Sequence, residues 1–77
     1  MPKLQKLSGP ELIQLLSKQG FVPKRQKGSH VILIKETEKG KVGCTVPLHK
    51  ELMIGTIKGI LKQARISEKE FEELLEK

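Results

Sequence analysis

Residues 27–35 read KGSHVILIK, and the fold is decided by how this stretch is parsed. A glycine followed by a small polar residue is turn chemistry. The run Val31-Ile32-Leu33-Ile34 that follows His30 is rich in β-branched residues and has the length of a strand. Val31 and Leu33 point one way and Ile32 and Ile34 the other, so HVILIK is apolar on both faces, as suits the centre of a sheet. Such a strand needs a neighbour on each side, and the sequence supplies two. FVPKR (21–25) precedes it across QKGS, and KVGCTVP (41–47) follows across ETEKG. Both separators combine glycine with polar residues, which predicts a three-stranded antiparallel meander. Pro23 has no N–H to donate to a ladder, which assigns FVPKR to an edge.

Away from these segments the period is helical. Ser8, Pro10 and Glu11 supply a cap acceptor, a first-turn proline and the partner of a capping box. Leu12, Ile13, Leu15 and Leu16 follow, and Gly20 offers the left-handed residue that closes a helix, so a helix is predicted over 9–19 with Leu12, Leu15 and Leu16 turned inward. After Pro47, Met53, Ile57, Ile60, Leu61 and Ala64 recur at helical spacing, with Lys58, Lys62 and Arg65 on the opposite side. Ser67 to Glu70 repeats the capping box, and Phe71, Leu74 and Leu75 give a last short helix, near 68–76, one apolar stripe. Helix, three strands, helix and short helix predict an α+β sandwich in which helices cover one face of an antiparallel sheet. The expected organisation is a single domain, 1–77.

A chain of 77 residues buries about 60–65 per cent of the surface it exposes when unfolded. One modest core and no large cleft follow. Chemistry then has to sit on the surface, with a substrate that brings much of its own recognition energy. A charged polymer fits. Fifteen Lys and Arg stand against nine Glu and no Asp, for a net charge of +6. The balance is uneven: residues 1–65 carry +9 and residues 66–77 carry −3. A body of that charge attracts phosphates by counterion release, although a solvated surface has the same composition. Cys44 is the one cysteine, so neither an internal disulfide nor a thiolate metal cluster is expected. With two histidines besides, no zinc set can be assembled, and neither cofactor nor metal is expected. No apolar run is long enough for a membrane span, and MPKLQKLSG lacks the apolar core of a signal peptide, which points to a soluble, cytoplasmic protein without membrane contact.

His30 is the residue that invites a chemical reading, because histidine is the side chain able to change charge near neutral pH. The QKGS turn can set backbone N–H groups and the cations of Lys24, Arg25 and Lys27 around the imidazole as a seat for phosphate. A histidine beside bound phosphate can serve as general acid or base without a metal, as cleavage of RNA by its own 2′-hydroxyl requires. A lone histidine at a strand start can equally be structural. His49, between TVPL and the long helix, reads as a cap on that helix's first turn or as a polar surface residue. Phe21 and Phe71 are the only aromatic residues, too few for the stacking platforms with which RNA-recognition-motif and OB sheets bind single strands. The acidic last helix is likewise a poor DNA-reading element.

Taken in order, GF at 20–21, Arg25, GSH at 28–30, TVPLH at 45–49 and GTIKGILKQARIS at 55–67 closely resemble the HicA toxin family over nearly the whole chain. That resemblance implies a double-stranded-RNA-binding-like fold and a metal-independent endoribonuclease acting on messenger RNA. It also implies restraint by a HicB-type antitoxin, with DNA contacted only through the antitoxin complex. It makes His30 the catalytic residue and matches Gly28 and Ser29 to the turn that presents it. Val46, Pro47 and His49 match a second motif whose chemical role stays unassigned. Lys24, Arg25, Lys27, Gly28, Ser29, Lys58 and Lys62 are the expected substrate contacts. Arg65 departs from the pattern, standing where relatives tend to have glycine, so either a rearranged helix end or an added basic contact is expected there. The residues by themselves leave two other readings open, a non-catalytic RNA-binding module of the same fold and a structural interaction domain.

Overall fold

The computed structural model of the chain describes residues 7–76. Its elements are α1 (Gly9–Ser17), β1 (Val22–Lys27), β2 (His30–Thr37), β3 (Gly40–Pro47), α2 (Ile54–Ala64) and α3 (Glu68–Leu75). The strands form one antiparallel sheet in the order β1-β2-β3, so the two-sided apolar run is central, and the α+β layout is the one its pattern predicts. Register places Lys27 and Pro47 on either side of His30, and Val31 opposite Val46.

The pleat then sorts the side chains of β2. Val31 and Leu33, with Cys44 and Val46 beside them, lie buried under the helices, while Ile32 and Ile34 are half-buried on the open face. Burying a side chain the size of Leu33 contributes about 1.5–3 kcal/mol. Leu12 and Leu16 of α1 and Ile57, Ile60 and Leu61 of α2 complete this core, and Phe71 and Leu74 dock α3 onto it. Leu15 is half-buried against the core's margin. Next to Ile34, Val22 is 49% exposed, so the open face carries an apolar patch.

The two sheet edges are managed differently. On the β3 side Gln63 of α2 reaches across, its Oε1 accepting the Thr45 N–H at 3.2 Å. On the β1 side every residue is exposed, and an irregularity in register between Pro23 and Arg25 adds to Pro23 and three cations in blunting the edge.

Helices α1 and α3 start with complete capping boxes. Ser8 Oγ accepts the Glu11 N–H at 3.1 Å while Glu11 Oε1 accepts the Ser8 N–H at 2.9 Å, and Ser67 and Glu70 repeat this at 3.1 and 3.0 Å. Helix α2 differs. Its N-cap is Met53, which makes no side-chain capping bond, so the expectation that His49 caps this helix is not met. The end of α2 is not rearranged by Arg65. That residue takes the left-handed conformation itself, φ 59°, and its N–H closes the helix, at a cost of about 1–2 kcal/mol relative to glycine.

The hydrogen bonds from Ser8 hold the Glu11 carboxyl below its ordinary range, and those from Ser67, with the charge of Lys35, do the same for Glu70. A depressed folded-state pKa gives stability that is complete above the unfolded value and is lost as pH falls through the folded one. Thermal unfolding followed by circular dichroism should therefore show a midpoint that falls with acidification below about pH 4.5. The Glu11→Gln, Glu70→Gln double variant, which keeps hydrogen-bonding amides, should lose part of that dependence. An unchanged acid limb would remove the capping boxes from the account.

Candidate functional site

The GSH segment is first of all a hairpin. Lys27 and His30 are paired, leaving Gly28 and Ser29 as a two-residue loop with Gly28 at φ +61°, the positive-φ first position of a type II′ turn. A Cβ at Gly28 would touch nothing within 4 Å among the described residues, so its conformation and not its space calls for glycine. Gln26 steadies the loop by donating from Nε2 to the Gly28 carbonyl at 3.2 Å.

His30 alternates with buried Val31, so its imidazole projects from the sheet's open face, and the residue is exposed. Lys27 and Pro47, its register partners, share that face. The backbone below the imidazole is anchored and the ring itself is open to solvent. That is the arrangement a surface acid or base needs when its substrate is a polymer.

The second motif meets the first through the backbone. Leu48 donates its N–H to the Ser29 carbonyl at 2.6 Å, and the His49 carbonyl accepts the Gly9 N–H at 2.9 Å. Leu52 then donates to the Leu7 carbonyl at 2.6 Å, forming an isolated bridge. These three bonds stitch the β1–β2 turn, the segment after β3 and the approaches to α1 and α2 into one end of the molecule. TVPLH thus has a positional role, and His49, exposed as a side chain, ties down the start of α1 and not that of α2.

Gly9 makes this seam possible. A Cβ there would collide with the Pro47 carbonyl oxygen and lie 2.9 Å from Leu48 Cα. The sequence reading treated Gly9 only as part of the helix start. The signal was a glycine, a poor helix former, placed directly after a strong cap.

The expected binding residues fall into two groups. Arg25 and Lys27 stand with His30 on the open face, Arg25 opposite Ile32 and Lys27 opposite His30, and Lys24 is exposed on the same strand. Lys58 and Lys62 project from the outward side of α2, away from that face. Both groups adjoin the stitched end, because α2 begins there. On α2 the outward side also carries Gly55 and Gly59, exposed and with nothing within 4 Å of where a Cβ would be among the described residues. A glycine inside a helix costs about 0.8–1 kcal/mol relative to alanine.

Other chemistry is sparse. Burial pushes the Cys44 thiol up to about 11, which leaves it a packing residue with little thiolate character. Among the described residues no three His, Cys, Asp or Glu side chains gather as a metal-binding group, and no helix is long and apolar enough to cross a membrane.

A family model described as the HicA toxin of bacterial toxin–antitoxin matches residues 9–66, a span that holds Gly9, the GSH turn, TVPLH and α2. No curated protein matches the sequence.

The seam gives a sharp contrast between two glycines. Gly9→Ala should lose about 1–3 kcal/mol in equilibrium urea denaturation, because backbone has to move to admit the methyl group. Gly28→Ala should lose about 1 kcal/mol through its positive φ alone, with Gly28→Asn losing less. Equal stability of Gly9→Ala and the parent would contradict the close approach.

Proposed function

The chain belongs to the HicA toxin family of bacterial toxin–antitoxin systems, and on that premise we propose that it is a metal-independent endoribonuclease that cleaves messenger RNA with His30 as general acid/base. The observation that carries this reading is the position of His30, exposed on the open face at the mouth of a buried strand, held by the Gly28–Ser29 turn and flanked by Lys27.

Lys24, Arg25 and Lys27 neutralise phosphates on either side of the scissile bond, and the Gly28–Ser29 loop gives the strand room to approach. His30 accepts the proton of the 2′-hydroxyl, and the 2′-oxygen attacks phosphorus. The P–O5′ bond breaks, and the departing 5′-oxygen takes a proton from water. The products are a 2′,3′-cyclic phosphate and a 5′-hydroxyl end. The RNA supplies its own nucleophile, which is why one imidazole and a cationic surface suffice in a chain with so small a core. Lys58 and Lys62 extend the cationic track past the stitched end onto α2.

The partner in this reading is a HicB-type antitoxin. The apolar patch of Ile32, Ile34 and Val22 lies on the face that presents His30, so one protein seated there covers the patch and the imidazole together. Any DNA contact belongs to the pair and not to this chain alone. The reading places the protein in the cytoplasm, where messenger RNA is met.

His30→Ala should fold as the parent does and bind RNA with nearly parental affinity. Its cleavage rate should be lower by about 10²- to 10⁴-fold, the usual contribution of a general acid or base. Gel analysis of RNA incubated with each protein measures the rate. Cleavage by His30→Ala at the parental rate would overturn the assignment, and no cleavage by the parent would leave a binding module.

A further inference from the structure

Helix α2 turns a glycine-bearing side to solvent. Gly55, Lys58, Gly59 and Lys62 follow at i, i+3, i+4 and i+7, the spacing of a single helical stripe. All four are exposed, and Ile57, Ile60, Leu61 and Ala64 occupy the buried side. The stripe lines an open groove of about 520 Å³ whose other wall is formed by Ile66, Ser67 and Glu68 at the start of α3.

The glycines have no intramolecular reason on this face. Among the described residues nothing within 4 Å of either Cβ position would be disturbed by a side chain, and neither residue has positive φ. Alanine would fit both and favour the helix. What glycine adds is a shallower surface, on which an external chain can lie closer to the helix backbone.

Charge identifies that chain. Lys58 and Lys62 stand about 5–6 Å apart at Cβ by the geometry of i and i+4 residues, one on each side of Gly59 along the helix. Lys58 has Glu68 as a neighbour, Nζ to Oε2 3.8 Å, with the two side chains 51% and 55% exposed. An exposed pair of that length is a weak tie that Lys58 can exchange for a phosphate. The groove starts where α2 starts, at the end that presents the GSH turn, so it continues the cationic track from the site and does not form an isolated patch.

We infer that the α2 groove is a second RNA contact, in which the sugar–phosphate backbone lies against Gly55 and Gly59 with phosphates held by Lys58 and Lys62. This rests on the reading of the chain as an RNA-acting toxin and adds to it where the substrate runs beyond the cleavage site. The glycines act as spacing residues, and the lysines carry the charge.

The test uses the full chain carrying His30→Ala, so that RNA remains intact, and a fluorescein-labelled RNA of mixed sequence titrated at low salt. Adding Gly59→Ala should raise the thermal midpoint by about 4–8 °C and weaken RNA affinity about ten-fold, with Gly55→Ala acting in the same directions. A more stable protein that binds RNA more weakly is a result that loss of folding cannot produce. If Gly59→Ala binds RNA as tightly as its His30→Ala parent, the inference falls while the proposed nuclease stands, and weakened capture of an acidic protein in that case gives the groove to a protein partner instead. If Gly59→Ala lowers the midpoint, the fold itself required the glycine and the inference falls. If the His30→Ala parent binds no RNA, both readings fall.

Discussion

Everything placed at the working end of this molecule depends on the close approach of α1 to the segment that leaves β3. Gly9 lies so near Pro47 and Leu48 that a methyl group has no room. The carbonyls of His49 and Ser29 accept N–H groups from Gly9 and Leu48 across that contact. An exposed turn is ordinarily among the most mobile parts of a small protein. Here the Ser29 carbonyl is tied to a segment that is itself tied to a helix start. The imidazole of His30 therefore projects from a backbone fixed along β2 by Val31 and Leu33 and fixed at the turn by the seam.

The division of labour within β2 follows from its pleat. Alternate residues have to go to opposite sides, so the strand that anchors the sheet through Val31 and Leu33 necessarily presents His30, Ile32 and Ile34 on the other. In the proposed nuclease this gives one face two uses, chemistry at its end and an apolar patch beside it. A partner that docks on the patch restrains the chemistry by position, without a separate regulatory site. Cys44 belongs to the inner layer, and its raised thiol pKa leaves the imidazole without a competing nucleophile from that side.

Much of this was legible in the residues. The apolar run after His30 read as a central strand because few residue patterns are apolar on both faces over that length, and Pro23 read as an edge because its missing N–H is a local fact. Both capping boxes are local as well, and α1 and α3 start at Gly9 and Glu68 as their sequences predict. What was not legible depends on residues far apart in sequence. The seam joins Gly9 to Pro47, and no period or propensity reports that contact. His49 was misplaced for the same reason, since adjacency in sequence suggested α2 while the fold brings α1. Gln63 could not be read as the cover for the β3 edge until Thr45 was seen beside it. Lys58 and Lys62 carried the right charge, but only the packing of α2 showed that they face away from the sheet surface holding His30.

The chemistry of the RNA ends tests the central proposal most directly. If an imidazole on a cationic surface directs attack by the 2′-hydroxyl, RNA cleaved by the purified chain in excess chelator should carry 2′,3′-cyclic phosphate and 5′-hydroxyl termini, as mass spectrometry of the fragments distinguishes. Fragments ending in 3′-hydroxyl and 5′-phosphate, or cleavage that stops when divalent cations are removed, would contradict it.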